Sequence, residues 1–192
     1  MMEAGFQRAL AEYAAPTLCG SKCGSLLCIS DRACSVTENV MESNRAFKTL
    51  GLRIRLMCRC RDRVRLYVYS PCELEKRLAL PEVQSLLADF GYSSGMDAGR
   101  CLSRLSMRIA CEGGFPHEIG VFLGYPARDV AGFIENGGRN FKLCGLWKVY
   151  GDTLDALRLF DEYAKCREYL CNRLGEGCDL YTALLPESME VS

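Results

Sequence analysis

The chain has 192 residues, and its 24 basic and 24 acidic side chains give a formal net charge of zero at pH 7. This balance excludes a general attraction to nucleic acid or to an anionic membrane. Its apolar runs are far shorter than the roughly 20 residues that span a bilayer, and its first residues lack the apolar segment of a signal peptide. We therefore expect a cytoplasmic protein that does not bind membranes.

The first third of the chain predicts a helix, a strand and a second helix. Apolar residues recur every three to four positions in the first helix, which we expect Pro16 to end. Ser35 or Thr37 caps the second helix, and Gly51 ends it. The predicted elements are a helix over residues 3–14, a buried strand over residues 25–30 and a helix up to residue 50.

Residues 52–69 predict a β-hairpin with one buried face, because apolar residues alternate with polar ones on both sides of Arg61 and Asp62. If the other face were exposed, its arginines, with Tyr67 and Tyr69, would resemble an RNA-binding sheet. The arginines on or beside the hairpin are Arg53, Arg55, Arg59, Arg61, Arg63 and Arg65. Salt bridges to acidic helices explain them equally well, so nucleic acid is not the favoured partner.

The second half of the chain predicts mainly helices. Pro81 opens one of them and Gly91 closes it, and Asp97 caps the next. The predicted helices cover residues 72–79, 81–90, 97–111, 117–124, 127–136 and 152–174, and residues 142–150 are strand-like. The polar tail from about Gly175 is predicted to fray.

These elements indicate an α+β fold in a single domain over residues 1–192. The chain contains no internal repeat and no low-complexity linker. We expect a small mixed sheet of about four strands, including the 52–69 hairpin, packed with several helices.

Thirteen cysteines are the anomaly of the composition. Their odd number and the lack of an export signal argue against a disulfide framework, and a free cysteine packs as a small apolar residue. The spacing of Cys19, Cys23, Cys28 and Cys34 departs from the paired spacing of zinc sites, so we predict no metal site. A redox thiol among Cys19, Cys23 and Cys144 remains open.

The segment from Phe115 to Asp152 is the most informative part of the chain. It holds the only histidine, the only tryptophan and seven of the eighteen glycines. Its aromatic residues could line a slot for a planar ligand such as flavin, haem or a nucleotide, or they could pack the junction between helices and sheet. The sequence does not identify a cofactor.

His117 and Glu118 are the candidate catalytic residues. A histidine in the first turn of a helix favours a neutral ring, which suits a general base, and the adjacent carboxylate would complete an acid–base pair. Lys22 and Lys148 would then bind an anionic substrate. The alternative is that both residues serve only to cap the helix.

We predict one cleft at the end of the helix that begins near His117, because the N–H groups there need partners from outside the helix. An anionic or carbonyl-bearing ligand would find donors in that cleft. The residues expected to border it are Lys22, His117, Glu118, Tyr125, Asn136, Lys148 and Tyr150.

Several strings in the chain resemble the DUF3793 family, a bacterial family of unknown function found mainly in clostridia and related anaerobes. They are FPHEIG, LGYP and WKVYG in the 115–152 segment, Ala15-Pro16-Thr17-Leu18 with Gly20 and Lys22, and LYVY at residues 66–69. The resemblance covers essentially the whole chain. It implies a cytoplasmic accessory or binding protein of an anaerobe, associated with iron or redox metabolism, and it carries over no enzymatic activity.

Overall fold

A three-stranded antiparallel sheet lies between two groups of helices in the computed structural model, which describes residues 2–30, 35–111 and 115–185. The described helices are α1 (Ala4–Leu18), α2 (Val36–Ala46), α3 (Pro71–Leu78), α4 (Pro81–Ala88), α5 (Ala98–Cys111), α6 (Ile119–Phe122), α7 (Ala127–Glu135), α8 (Thr153–Gly175) and α9 (Leu180–Ala183). The strands are β1 (Gly24–Ser30), β2 (Arg53–Cys60), β3 (Arg63–Tyr69), β4 (Leu143–Cys144) and β5 (Lys148–Val149). A short 3-10 helix, Phe47–Leu50, follows α2.

The central strand β3 pairs with β1 on one side and with β2 on the other. Leu66 in β3 lies opposite both Leu27 and Leu56, which fixes the register of the sheet. The β2–β3 turn places Arg61 at a φ of 53°, in the left-handed region. The predicted strand over residues 25–30 and the predicted 52–69 hairpin are confirmed.

Both faces of the sheet are buried, so the expectation of one buried face is wrong. Leu27 and Leu66 pack on one face against α1 and the C-terminal helices. Tyr67 packs on the other face, in a core that α3 to α7 supply, and is only 1% exposed. A bulge between Leu56 and Cys58 also interrupts the alternation of β2. A two-residue period alone does not reveal that a second layer of helices covers the polar side.

Helix α1 continues through Pro16 to Leu18, although the sequence predicted that the proline would end it. Proline in a helix gives up one backbone hydrogen bond and crowds the preceding turn. Here Pro16 lies in the last turn of the helix and is itself buried, as are Ala15 and Thr17 beside it. Burial of this turn offsets the cost of the proline, and the Thr17 hydroxyl bonds Ser25 of β1 at 2.7 Å.

The glycine and cap positions that the sequence indicated are confirmed at several helix ends. Gly51 and Gly91 follow helical segments with φ values of 67° and 74°. Asp97 accepts a hydrogen bond from the Arg100 amide at 2.8 Å, at the start of α5. Asp152 caps α8 by accepting from the amides of Leu154 and Asp155, which lowers the pKa of its carboxyl group.

The α+β class is confirmed, and the strand pairing refines the expected sheet. Residues 142–150 form two short strands, β4 and β5, instead of one. They pair with each other in an antiparallel hairpin that is separate from the central sheet. Every strand pairing among the described residues is antiparallel, so the expected mixed sheet of about four strands is instead a sheet of three strands and a hairpin of two.

The chain after α8 packs against the core, where its polar composition predicted fraying from Gly175. Leu180 is fully buried and Ala183 nearly so. The Leu180 amide donates to the Gln7 side chain at 2.7 Å, which ties α9 to α1. The prediction is wrong up to residue 185, and the rest of the tail lies outside the described residues. No helix in the described ranges is both long enough and apolar enough to cross a membrane.

Candidate functional site

A cavity of about 380 Å³ lies between α6, α7 and the β4–β5 hairpin. All of its lining residues belong to the segment that the sequence singled out. They are Phe115, Pro116, His117, Ile119, Gly120, Tyr125, Asp129, Val130, Phe133, Cys144, Gly145, Leu146, Trp147 and Lys148. We call this the aromatic cavity, because five of these fourteen residues carry aromatic rings.

Trp147 is the central aromatic side chain of the site. It stacks on Tyr125 with ring centroids 4.8 Å apart and meets Phe160 of α8 edge-on at 4.5 Å. A Cβ atom on Gly145 would lie only 2.2 Å from the Phe160 ring, so glycine is needed for the hairpin to approach α8 this closely. Packing on both sides therefore fixes the position of the indole, which is 7% exposed.

Asp129 anchors the hairpin to α7 through a buried carboxylate. Its Oδ1 accepts the backbone N–H groups of Tyr150 and Gly151 at 2.8 and 2.7 Å, and its Oδ2 accepts the indole N–H of Trp147 at 2.7 Å. Both oxygens are thus occupied, and the side chain is 3% exposed. Asp129 does not stand out in the sequence, because an acidic residue in the first turn of a helix is ordinary and its partners lie some twenty positions further along the chain.

Arg77 of α3 holds the corner between α6 and α7. Its guanidinium donates to the backbone carbonyls of Val121 (2.7 Å) and Tyr125. The contact fixes the backbone of Tyr125, one wall of the cavity, from a helix distant in sequence. The sequence around Arg77 does not predict that it donates hydrogen bonds to the segment between α6 and α7.

Lys148 and His117 contact the same phenylalanine ring of the cavity. The His117 ring meets Phe133 edge-on at 5.2 Å, and the Lys148 ammonium lies 5.7 Å from the centre of that ring and 5.1 Å from that of Phe141. Lys148 donates to the Gly138 carbonyl at 2.6 Å. The structure thus brings together these two members of the predicted cleft, together with Tyr125.

Lys22 does not line the aromatic cavity. Its ammonium lies over the rings of Tyr125 and Tyr163, at 5.8 and 5.4 Å from their centres. Burial lowers the pKa of Lys22 to about 8, and a minor opposing influence comes from Cys23. Lys22 is therefore adjacent to one wall of the cavity without contributing to its lining.

Glu118 faces the interior and is separated from the cavity that His117 lines. Its carboxylate is fully buried, forms an ion pair with Arg108 at 2.5 Å and accepts from the Tyr92 hydroxyl at 3.3 Å. His117 is exposed beside Phe133. The two candidate catalytic residues thus point to different surroundings, and the contacts of Glu118 are those of a structural ion pair.

Asn136 and Tyr150 support the site from outside its lining. The Asn136 side chain donates to the Gly132 carbonyl at 2.8 Å, at the end of α7. Tyr150 packs its ring on Gly132, where a Cβ atom would lie 2.5 Å away, and its hydroxyl donates to the Arg139 carbonyl at 2.9 Å. Both residues were predicted to border the cleft, and the structure instead gives them packing and loop contacts.

The arginine-rich hairpin does not present an open aromatic surface. The buried Tyr67 donates its hydroxyl to the Phe122 carbonyl at 2.6 Å, so its ring cannot stack on a base. Arg55 bonds Ser103 of α5, and Arg59 bonds Thr37 of α2. These contacts fasten the hairpin to helices on both sides, and they leave Tyr67 unable to take part in RNA binding.

The cysteines whose side chains the structure describes are all free thiols. Within the described ranges no group of three or more histidine, cysteine, aspartate or glutamate side chains could hold a metal ion. The Cys19 thiol is hydrogen-bonded to Cys166 of α8, and burial together with that neighbour raises the pKa of Cys19 to about 12. Cys144 is exposed and lines the aromatic cavity, and Cys34 lies outside the described residues.

The fold and the cavity define an α+β protein in which a short hairpin and two helices enclose a small aromatic site. The chain belongs to the DUF3793 family, described as a protein of unknown function, whose sequence profile matches residues 10–184. The resemblance carried by the FPHEIG, LGYP and WKVYG strings is thereby confirmed. No curated protein and no solved structure matches the chain.

Proposed function

We propose that this protein binds a small molecule with a planar, largely apolar body in the aromatic cavity, and that it acts as an accessory protein without catalysing a reaction. The observation that carries the proposal is the cavity itself. Its volume of about 380 Å³ lies within the range of roughly 300–1,000 Å³ that is common for ligand sites. Its walls combine stacked aromatic rings with a few polar groups, as such sites generally do.

Two larger hollows in the described residues fit a ligand less well. One, of about 660 Å³, lies between α1 and the end of α8 and is bordered by Arg8, Glu12, Arg167 and Asp179, whose opposite charges can satisfy one another. The other, of about 910 Å³, is a groove between α4 and α7. Neither has stacked rings in its lining, so the smaller aromatic cavity is the better candidate.

The rigid support of the cavity favours binding over catalysis. Asp129 and Arg77 fix its walls by hydrogen bonds to the backbone, and Glu118 is committed to Arg108. Preformed walls reduce the entropy lost when a ligand binds. The carboxylate–imidazole pair that the sequence suggested does not meet in the cavity, because Glu118 pairs with Arg108 outside the lining and the lining carboxylate, Asp129, already accepts three N–H groups.

The test uses Trp147, the only tryptophan of the chain, as an internal reporter. Purified protein is titrated with flavin mononucleotide, haemin and adenosine monophosphate, following tryptophan fluorescence and melting temperature. At least one ligand should quench the fluorescence saturably and, at about 100 times its Kd, raise the melting temperature by roughly 5–10 °C. If none of the three changes either quantity, the proposal is wrong.

A matched pair of cysteine variants locates the binding. Cys144 and Cys28 are both exposed thiols on strands, but only Cys144 lines the cavity. Cys144→Phe should fill part of the cavity and weaken binding at least about tenfold, by analogy with the cost of overfilling a packed site. Cys28→Phe should leave the affinity unchanged. Equal affinities for the two variants would place the ligand elsewhere and contradict the proposal.

The association with iron or redox metabolism in the cytoplasm of an anaerobe, which the family resemblance implies, is part of the same proposal. Flavin and haem are the redox members of the ligand panel, and both have planar ring systems that suit aromatic walls. Saturable binding of either one would support the association. Binding of the adenine nucleotide alone would contradict it and leave the cavity proposal intact.

A further inference from the structure

The two charged residues of the aromatic cavity differ in how far the protein already uses their hydrogen bonds, and this bears on the ligand that the cavity accepts. Lys148 and Asp129 are the only lysine and the only acidic residue of the lining in the described chain. Three N–H groups already occupy the Asp129 carboxylate. Among the described residues no carboxylate forms an ion pair with Lys148, which donates only to the neutral Gly138 carbonyl. No carboxylate of the described ranges therefore pairs with the ammonium.

His117 adds a second nitrogen-bearing group on the same side of the cavity. Its ring is exposed and meets Phe133 edge-on, and no hydrogen bond from the described residues reaches either ring nitrogen. The imidazole and the Lys148 ammonium both contact the Phe133 ring. One end of the cavity thus offers two groups able to donate hydrogen bonds, both in contact with the same aromatic ring.

From this geometry we propose that the ligand is a flat aromatic acid, whose ring lies against Trp147, Tyr125 and Phe133 and whose anionic group binds between Lys148 and His117. The inference rests on the proposed function, since it assumes that the cavity binds a small molecule. An ammonium that already donates one bond keeps two further N–H groups for an anion. Hydrogen bonds between charged groups are roughly twice as strong as those between neutral ones.

The experiment compares an aromatic acid with its neutral amide. 2-Naphthoate and 2-naphthamide have nearly the same shape, and calorimetric titration gives the Kd of each. We expect 2-naphthoate to bind at least about tenfold more tightly, as one charge-assisted hydrogen bond would produce. Equal affinities, or tighter binding of the amide, would overturn the inference.

Two lysines of the hairpin segment form a matched pair for the same experiment. Lys148 and Lys142 each donate to a glycine carbonyl, at 2.6 and 2.9 Å, but only Lys148 lines the cavity. Lys148→Met should remove the preference for the acid, and Lys148→Arg should retain it. Lys142→Met should leave both affinities unchanged. Melting temperatures of all variants verify that they fold.

The outcomes separate the inference from the proposed function. If the amide binds as well as the acid and Cys144→Phe weakens both, the cavity binds ligands but does not select an anion. If 2-naphthoate binds and Lys148→Met leaves its preference intact, the acid is held elsewhere and the inference is wrong. If 2-naphthoate does not bind, the inference is again wrong, and the proposed function then depends on the flavin, haemin and nucleotide titrations alone.

Discussion

At the scale of single residues, Asp129 connects two parts of the chain with one carboxylate. It accepts hydrogen bonds from the Trp147 indole and from two consecutive backbone amides of the hairpin segment. A buried carboxylate is costly unless it is fully hydrogen-bonded, and here three N–H donors meet that need. Asp129 thus fixes the wall of the aromatic cavity that the hairpin supplies.

Replacing Asp129 with asparagine should destabilise the protein by about 3 kcal/mol. The NH₂ group of the asparagine would face an N–H donor in place of the carboxylate oxygen that accepts its hydrogen bond. Urea denaturation measures the change, and the Trp147 emission should shift to the red as the indole loses its partner. The control is Asp161→Asn, an exposed position in an i,i+4 pair with Lys165, which should change stability by less than about 0.5 kcal/mol. Equal effects at the two positions would disprove the anchoring role.

Lys22 illustrates how burial alters a charged residue. Its ammonium has two aromatic rings near it, Tyr125 and Tyr163, and the neighbouring Cys23 thiol. Burial lowers the pKa of Lys22 from its ordinary value of 10.5 to about 8. The folded state therefore binds fewer protons than the unfolded state between pH 8 and 10.5, so this residue makes stability rise with pH across that window.

We expect Lys22→Met to be more stable than the wild type at pH 7, by about 2 kcal/mol after allowing for partial exposure. The advantage should shrink as the pH rises from 8 to 10.5, because the wild-type lysine then becomes neutral. Urea denaturation at intervals across this range gives the difference between the two proteins, in which the cysteine and tyrosine titrations largely cancel. Lys165→Met, at an exposed lysine, should show no such trend. A difference for Lys22→Met that is constant with pH would contradict the lowered pKa.

At the scale of elements, α1 and α8 pack side by side and hold two thiols together. Cys19 follows the end of α1 and is hydrogen-bonded to Cys166 in α8, and the Ser21 hydroxyl also lies 3.4 Å from the Cys166 sulfur. The raised pKa of Cys19 keeps this thiol protonated at neutral pH, so it is a weak nucleophile there. Cys19 and Cys166 are therefore a pair of neighbouring reduced thiols, and Cys19 is not activated as a nucleophile.

Mild oxidation with diamide should link Cys19 to Cys166, with the two thiols losing two electrons and two protons that reduce diamide to its hydrazine. The reaction should be faster at pH 9 than at pH 7, because more thiolate is present. Non-reducing peptide mass spectrometry identifies the link. Cys166→Ser should abolish it, whereas Cys28→Ser, at an exposed thiol on β1, should not. A crosslink pattern dominated by other cysteine pairs would show that these thiols are not adjacent in solution.

At the scale of the whole molecule, the C-terminal helix α9 packs against the N-terminal helix α1. Leu180 is fully buried in the core that contains Phe6, Leu10 and Leu170. This core lies on one face of the central sheet, and the core that contains Tyr67 lies on the other. The C-terminal segment therefore completes one of the two main hydrophobic cores.

Leu180→Ala should destabilise the protein by about 2–5 kcal/mol, the usual range for removing a fully buried leucine side chain. Thermal or urea denaturation measures the loss. Leu157→Ala, at a helical leucine that is 49% exposed, should cost less than about 1 kcal/mol. Similar small losses at both positions would mean that the end of the chain does not contribute to the core.

The sequence alone determined most of the local structure, because local structure depends on neighbours in the chain. Alternation indicated the hairpin, Gly51 and Gly91 marked helix ends, and Asp152 capped α8. The density of rings and glycines between Phe115 and Asp152 also indicated where a concave surface would form. These features follow from periodicity and from backbone conformations that few residues adopt.

Only the tertiary structure decided which of the candidate residues meet at the site. Lys148, His117 and Tyr125 line one cavity, whereas Glu118 is held by Arg108 from α5 and Lys22 lies beyond the cavity wall. The direction in which a side chain points depends on packing between elements far apart in sequence. A local sequence pattern does not determine this direction. The second buried face of the sheet and the burial of the C-terminal segment have the same cause, since each depends on a helix that arrives from another part of the chain.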